Sequence, residues 1–175
     1  AFYLCESLEN INIPEGVTTI GERAFNLCES LTSITIPNSV TTIGDIAFGH
    51  CSSLKIVSLS EKITAIGDHT FASCSSLESI ILPNGVKSIG REAFTYCTSL
   101  KTIIMPETVT SVGYDAFDYC DSLIICYCYA TTPPSTSSSF FPIIEGSTLY
   151  VPAGYKTEYE NSDWKKYFTN ILEIN

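Results

Sequence analysis

The chain has 175 residues, 45% of them hydrophobic, which is enough for one domain with a substantial core. It carries 19 acidic and 9 basic residues, and the resulting formal charge of −10 argues against a nucleic-acid partner, because it repels phosphate backbones. No apolar run reaches the roughly 18 residues that a membrane-spanning helix needs, so we expect no membrane insertion in this segment.

Three residue types recur every 23 positions along most of the chain. Each of six cysteines has a phenylalanine three places before it and a leucine three places after it, and a period of this length is typical of a stacked-repeat solenoid. We therefore expect a single domain over 1–175. It consists of a partial repeat at 1–7, five repeats over 8–122, a divergent repeat at 123–142 and a C-terminal cap at 143–175.

The first half of a repeat, taken from the second copy at 31–53, has the pattern of a short strand. Leu31, Ile34 and Ile36 follow L-x-x-I-x-I, and the alternation of the two isoleucines predicts a strand with one buried face. Pro37 ends it, because proline has no N–H for a ladder hydrogen bond.

The second half predicts a shorter extended segment and then a turn of helix. Val40 and Ile43 form the extended segment, and Gly44 is expected to turn the chain at positive φ. The apolar spacing at 47, 48 and 51 is that of one helical turn.

The period continues into the last part of the chain. We expect eight stacked strands, centred on positions 12, 35, 58, 81, 104, 127, 150 and 173, with Leu172 and Ile174 facing inward in the last one. Between the strands centred on 127 and 150, the segment 131–142 is predicted to be a loop rich in proline and serine. The cap at 143–175 is helix-compatible over 155–168, with Tyr155, Tyr159 and Trp164 as aromatic anchors.

The cysteines at the repeated position predict a column of buried free thiols. Equivalent side chains in stacked repeats point the same way at about 4.8 Å, whereas a disulfide needs converging Cβ atoms about 3.8 Å apart. Their spacing also fits no zinc site, so we expect no metal. The column consists of Cys5, Cys28, Cys51, Cys74, Cys97 and Cys120.

The repeated motif C-x-x-L-x-x-I-x-I-P-x-x-V-x-x-I-G-x-x-A-F closely resembles the BspA-like (Treponema-type) leucine-rich repeat. The closing segment LYVPAGYKTEYENSDWKKYF at 149–168 is also similar to that of such proteins. The third repeat departs from the motif, since Ser60 stands where the others have proline.

The resemblance implies an α/β repeat fold, a right-handed superhelix with a concave parallel β-sheet and with short strands and helical turns on its other sides. It implies a bacterial protein that is extracellular or on the cell surface, and some relatives are adhesins for host matrix or plasma proteins or other bacteria. It implies no catalytic residues and no cofactor, so we expect a protein that is not an enzyme.

Because the inward positions are used for packing, a binding surface must come from the outward positions of the strands. Most of these are small and polar, but the C-terminal ones form an apolar stripe that consists of Ile81, Ile104, Ile125, Tyr127 and Tyr150. Exposed apolar surface of this kind often binds a protein partner. The alternatives are that the loop or the cap covers the stripe, or that these residues reflect strand propensity alone.

The sequence thus predicts a protein-binding module, and the alternative is a structural spacer that presents another domain of a longer protein.

Outside the stripe, Tyr96, Tyr114 and Tyr119 are expected on the helical side, facing solvent. His50 beside Cys51 is better explained by packing than as a nucleophile pair, since Cys51 belongs to the thiol column. Asp45, Asp68, Glu92 and Asp115 follow the turn glycines and are expected to complement backbone N–H groups rather than to bind calcium.

Overall fold

The computed structural model of the protein describes residues 1–137 and 139–174. Short strands dominate it, and helix is confined to the cap, where α1 (Lys156–Glu160) is followed by a 3-10 turn (Asp163–Lys166). The strands in chain order are β1 (Thr19–Ile20), β2 (Ser33–Thr35), β3 (Thr42–Ile43), β4 (Ile56–Ser58), β5 (Ala65–Ile66), β6 (Ser79–Ile81), β7 (Ser88–Ile89), β8 (Thr102–Met105), β9 (Ser111–Val112), β10 (Ile125–Cys128), β11 (Ser135–Thr136), β12 (Ile144–Pro152) and β13 (Phe168–Ile174). None of the helices within the described ranges is both long and apolar enough to cross a bilayer.

The strands stack in two parallel columns, which confirms a parallel β-solenoid. The broad face holds β2, β4, β6, β8, β10, β12 and β13, and the narrow face holds β1, β3, β5, β7, β9 and β11. Through β12, partners on the broad face are 23 residues apart, as Ile80 opposite Ile103 and Cys126 opposite Leu149 illustrate. The broad face has seven strands in the described residues instead of the expected eight, because the segment near position 12 is not a strand.

The third repeat (54–76) is divided between its two neighbours. Its first strand, β4, pairs with β2 of the second repeat, and within the described residues it has no ladder to β6 of the fourth. Its second strand, β5, pairs with β7 of the fourth repeat and, in the same described part of the chain, lacks a ladder to β3. Each column is therefore interrupted once, at different steps, and the expected continuous sheet is wrong at this repeat.

Ser60 lies at the corner where this repeat changes its neighbour. Its side chain is fully buried, and a buried hydroxyl needs a hydrogen-bond partner. Ser60 Oγ donates to Val40 O in the second repeat at 2.6 Å, and Glu61 N donates to Asn38 Oδ1, also in the second repeat, at 2.9 Å. The corner after β4 is thus held to the second repeat, while β5 is held to the fourth.

The third side of each coil, which we call the turn side, is built from consecutive tight turns, so the expected helical turn is wrong. In the second repeat, Ile46 and His50 both have φ of 59°, a left-handed conformation that a helix excludes. Alternate N–H groups here donate to the following repeat, as in Phe25 N to Ala47 O at 2.8 Å, and the N–H groups that lie between them close tight turns, as in Gly49 N to Ile46 O at 3.0 Å. These bonds between repeats replace the internal bonds of a helix, so the apolar spacing alone does not distinguish the two conformations.

Gly44 is required by close packing and not by its own φ, which is a second correction. The glycines with positive φ are Gly16, Gly146 and Gly154, and the left-handed residue of this turn is Ile46. A Cβ on Gly44 would lie 2.5 Å from the backbone N of Glu22 and 2.9 Å from its Cα. The glycine therefore lets one repeat approach the backbone of the previous one.

A ladder of phenylalanine rings runs through the centre of the solenoid. Neighbouring rings are nearly parallel, with centroids 5.2 to 5.4 Å apart and interplanar angles of 2 to 11°. The ladder continues through the third repeat, where both strand columns are interrupted. Its members are Phe2, Phe25, Phe48, Phe71, Phe94 and Phe117.

Aromatic residues anchor the C-terminal segment to the last coils. Tyr159 and Trp164 are buried, and their polar atoms reach backbone carbonyls: Tyr159 Oη donates to Ala130 O at 2.8 Å and Trp164 Nε1 to Pro134 O at 2.9 Å. Tyr155, the third expected anchor, is 38% exposed and does not serve as one.

The last strand is one residue out of the expected register. Leu149 lies opposite Ile171, and Tyr150 lies opposite Leu172, an offset of 22 residues. Since side chains alternate along a strand, the shift turns Ile171 inward and leaves Leu172 exposed, which corrects the inward placement of Leu172 and Ile174.

We predict that Gly44→Ala destabilises the protein by about 1–3 kcal/mol, because the backbone of Glu22 must move away from the new methyl group. Gly21→Ala is the matched control, since Gly21 is the equivalent glycine one repeat earlier and a Cβ there would have nothing within 4 Å. Urea denaturation measures both variants. Equal stability of the two would contradict the packing role of Gly44.

Candidate functional site

The outward side chains of the broad face form a continuous apolar row. The parallel register places Ile104 opposite Ile81, Tyr127 opposite Ile104, and Tyr150 opposite Tyr127. Ile125 does not belong to this row, because its partners are Thr102 and Thr148 in the neighbouring one. The structure thus brings together four of the five residues of the expected stripe and places the fifth beside them.

The row is accessible, most strongly at its N-terminal end. Ile81 is 65% exposed, while Ile104, Tyr127 and Tyr150 are half-buried, as outward residues of a central strand are when their neighbours have large side chains. The rings of Tyr127 and Tyr150 stack with centroids 4.7 Å apart at an angle of 13°. The two rings therefore present one stacked surface whose position is fixed by the strands beneath it.

Leu172 extends the row by one strand, and sequence reasoning missed it. It lies opposite Tyr150 and is 44% exposed, whereas a strict period of 23 places it in the core. The buried Ile171 lies opposite Leu149 and occupies the inward face of β13 one residue earlier than the period predicts, and the sequence pattern gives no separate signal for this shift. We call Ile81, Ile104, Tyr127, Tyr150 and Leu172 the apolar row.

A cleft of about 420 Å³ opens at the N-terminal end of the row, between β4 and β6. It lies where β4 of the third repeat and β6 of the fourth form no ladder in the described residues. Its edges carry Ile56 and Ile81, which are 66% and 65% exposed. Val57 and Leu59, at positions that are buried in other repeats, are only half-buried here. Sequence reasoning did not predict the cleft, although Ser60 in place of proline marks the repeat in which it forms.

The six periodic cysteines lie in a column of free thiols along the turn side of the core. Five of them are fully buried and Cys5 is half-buried. From Cys28 onward, each thiol donates to the carbonyl of a phenylalanine 26 residues earlier, as Cys51 Sγ does to Phe25 O at 3.2 Å. The remaining bonds of this series are those of Cys74, Cys97 and Cys120, at 3.1 to 3.2 Å.

Burial makes these thiols unsuitable as nucleophiles. Loss of solvation, and then repulsion from the Cys28 thiolate, raise the pKa of Cys51 to about 12. Burial likewise raises the pKa of Cys74 and of Cys120 well above the usual thiol range. Since the thiolate is the reactive form, the neighbouring His50, which is exposed, has no activated partner in Cys51.

Two of the four turn carboxylates, Asp45 and Asp68, bind backbone N–H groups of the following repeat. Asp45 Oδ1 accepts from Asp68 N at 3.0 Å, and Asp68 Oδ1 accepts from Arg91 N at 2.7 Å. Glu92 instead lies 3.5 Å from His69 Nδ1 and 2.7 Å from the Arg91 guanidinium. In the part of the chain that the structure describes, no three histidine, cysteine or acidic side chains come together as a metal site requires.

Comparisons with known proteins agree with this architecture. The sequence model of the BspA type leucine rich repeat region matches residues 1–124 in six copies. A solved leucine rich cell surface protein from Faecalibacterium prausnitzii is 36% identical, with a TM-score of 0.64 over 73% of this chain and 31% of its own. The chain therefore spans less than a third of the length of that protein. No curated protein matches the chain.

Two further solved structures are alike in fold. The pneumococcal vaccine antigen PcpA is 20% identical, with a TM-score of 0.71 over 93% of this chain and 40% of its own. The leucine rich repeat protein of T. pallidum is 23% identical, with a TM-score of 0.58 over 87% of this chain and 76% of its own.

We predict that stability falls as the pH rises above about 9, the ordinary thiol pKa. In the unfolded chain the thiols ionise there, while in the folded chain they stay protonated up to about pH 12 at Cys51, so alkali favours unfolding. Each such thiol contributes a slope of up to about 1.4 kcal/mol per pH unit. Urea denaturation across this range measures the slope, which Cys51→Ala should reduce. A stability that does not change between about pH 8 and pH 10.5 would contradict the burial of protonated thiols.

Proposed function

We propose that this chain, which belongs to the BspA-type leucine-rich repeat family, is a non-enzymatic module that binds another protein. The observation that carries the proposal is the apolar row on the broad face, where side chains from five adjacent strands align. A contiguous apolar surface on the outward face of a sheet is typical of an interaction site.

The chemistry of the row suits a protein interface. Aromatic residues are enriched at the centres of interfaces, where they supply large contact areas with few rotatable bonds. The stacked rings of Tyr127 and Tyr150 would occupy that centre, and the β6–β4 cleft beside Ile81 would accept an apolar side chain of the partner. Because the strands hold the row in place, little conformational entropy is lost on binding.

We further propose that the module acts outside a bacterial cell, either secreted or on the cell surface, and that its partners include host matrix or plasma proteins or surface proteins of other bacteria. Support comes from the similarity to a cell surface protein of Faecalibacterium prausnitzii and from the likeness in fold to a pneumococcal vaccine antigen. In this proposal the stack is a right-handed superhelix, and the broad face lies on its concave side, where a partner contacts several strands at once.

One observation favours the alternative role as a spacer that presents another domain. The N-terminal part of the broad face carries small polar outward side chains at Ser33, Thr35 and Ser58, with Ile56 as the apolar residue among them. A spacer needs no apolar row, so the two roles predict different outcomes when the row is changed.

We predict that the double variant Ile104→Ser/Tyr127→Ser loses binding to immobilised host matrix and plasma proteins by at least about tenfold, since it removes the centre of the row. Surface plasmon resonance on a panel of such proteins measures this loss. The melting temperature should fall only slightly, because both side chains already face outward.

The matched control is Ile143→Ser/Tyr155→Ser, which removes the same two residue types at exposed positions outside the row. It should bind as the unchanged protein does. If both variants bind equally, or if no protein of the panel binds, the spacer role is favoured. If Ile104→Ser/Tyr127→Ser unfolds the protein, these residues belong to the core and the proposed site is wrong.

A further inference from the structure

We propose that the turn side of the fourth and fifth repeats is a second docking surface, which binds an arginine-rich segment of a partner protein. This surface consists of Tyr96, Tyr114 and Tyr119 with the carboxylates around them, and we call it the tyrosine surface. It lies on a different side of the coil from the apolar row, so the inference goes beyond the proposed function and does not depend on it.

The side chains of the three tyrosines are exposed to solvent on the turn side. Tyr96 and Tyr119 are 48% and 49% exposed, and Tyr114 is 44% exposed. The rings of Tyr96 and Tyr119 stack with centroids 4.4 Å apart at an angle of 6°. Both residues have left-handed backbones, with φ of 59° and 55°. Tyr96 N donates to Asp118 O of the next repeat at 2.9 Å, and Tyr119 N donates to Asp118 Oδ1 at 3.1 Å, so hydrogen bonds hold the backbone beneath both rings.

In the part of the chain that the structure describes, no other ring stacks on the face of Tyr96 that points away from Tyr119. Tyr96 and Tyr119 occupy equivalent positions 23 residues apart, and the preceding position in the same column is Ser73. The serine side chain is too short to cover the face of Tyr96 that points toward the third repeat. A planar group of a partner can therefore stack there, one repeat spacing from Tyr96.

The protein already places a guanidinium group over a tyrosine at the same surface. Arg91 Cζ lies 6.0 Å from the centroid of the Tyr114 ring, within the range of a cation–π contact. The same arrangement, with the cation supplied by a partner, is what the uncovered face of Tyr96 offers.

The charge of the surface selects a cation. Glu92 is bound by Arg91 at 2.7 Å, but within the described residues Asp115, Asp118 and Asp121 form no ion pair. Burial raises the pKa of Asp118, and repulsion from Asp115, Asp121 and Glu92 raises it further, so these carboxylates are close enough to repel one another. A bound cation would relieve that repulsion.

Arginine fits this combination better than lysine does. Its guanidinium is planar and stacks on an aromatic ring, while its N–H groups remain free to bind carboxylates in the ring plane. A lysine ammonium would gain the attraction of the carboxylates but would not stack in the same way. The geometry thus points to a peptide segment with arginine, and the choice between the two cations becomes measurable.

The test is isothermal titration of the full chain with a synthetic arginine-rich peptide and with a lysine-rich peptide of the same length and charge. We predict that the arginine peptide binds more tightly. Tyr96→Ser/Tyr119→Ser should weaken its binding about tenfold, the loss expected for a cation–π contact on a partly buried ring. Tyr129→Ser/Tyr155→Ser, at two other exposed tyrosines, is the matched control and should leave binding unchanged.

Two charge variants separate this surface from the overall negative charge. Asp115→Asn/Asp121→Asn should weaken binding of the arginine peptide, whereas Glu15→Gln/Glu107→Gln removes the same charge at exposed positions elsewhere and should not. Ser73→Arg should also weaken it, because its own guanidinium would cover the free face of Tyr96, and Ser33→Arg on the broad face is its control.

Equal affinity for the two peptides, or equal losses in the two carboxylate variants, would reduce the effect to net charge and overturn the proposal. Absence of binding by the arginine peptide would overturn it as well. If Tyr96→Ser/Tyr119→Ser fails to fold, the comparison of Ser73→Arg with Ser33→Arg still decides the outcome. None of these variants changes the apolar row, so a failure here leaves the protein-binding role of the broad face unaffected.

Discussion

The structure depends on the stacking of equivalent side chains along one axis, and the phenylalanine ladder is its clearest expression. Each ring lies 5.2 to 5.4 Å from the next, close to the distance between paired strands. Alternate N–H groups of the same turns donate to the next repeat, as Phe48 N does to Thr70 O at 2.9 Å. Rings and hydrogen bonds together hold the turn side continuous through the third repeat, where the strand ladders change partners.

This stacking decides which chemistry the chain can offer. Each inward position lies against the equivalent position of the next repeat, so the periodic cysteines become buried thiols with raised pKa values and the turn glycine becomes a point of backbone contact. Only outward positions remain available for partners, and there the repeats differ from one another. The apolar row and the tyrosine surface both arise because large side chains happen to recur at one outward position in successive repeats.

The period of 23 made much of this fold predictable, because a strict repeat leaves one consistent choice of inward face. The period alone was enough to predict that Ile81, Ile104, Tyr127 and Tyr150 share one row. It did not predict the turn conformation, because the apolar spacing at 47, 48 and 51 suits a helical turn as well as the observed turns. The left-handed backbone at Ile46 has no signature in the residue type, since isoleucine rarely adopts it.

The remaining differences arise where the repeat itself changes. In β13 the alternation around Ile171 prevails over the strict period by one residue, and this moves Leu172 from the core to the apolar row. In the third repeat, Ser60 brings a buried hydroxyl that bonds to Val40 O, and the cleft beside Ile81 opens in the same repeat. Such effects depend on the partner that a polar group finds in three dimensions, which a period cannot specify.

The most direct test of the stacking account is the stability of Phe71→Ala compared with that of Phe2→Ala. Phe71 is fully buried between two rings, each with its centroid 5.4 Å away, whereas Phe2 is 36% exposed and stacks on one ring, that of Phe25. We predict a loss of about 3–5 kcal/mol for Phe71→Ala in urea denaturation and a clearly smaller loss for Phe2→Ala. Equal losses in the two variants would contradict the account, because the ladder would then not hold the repeats together.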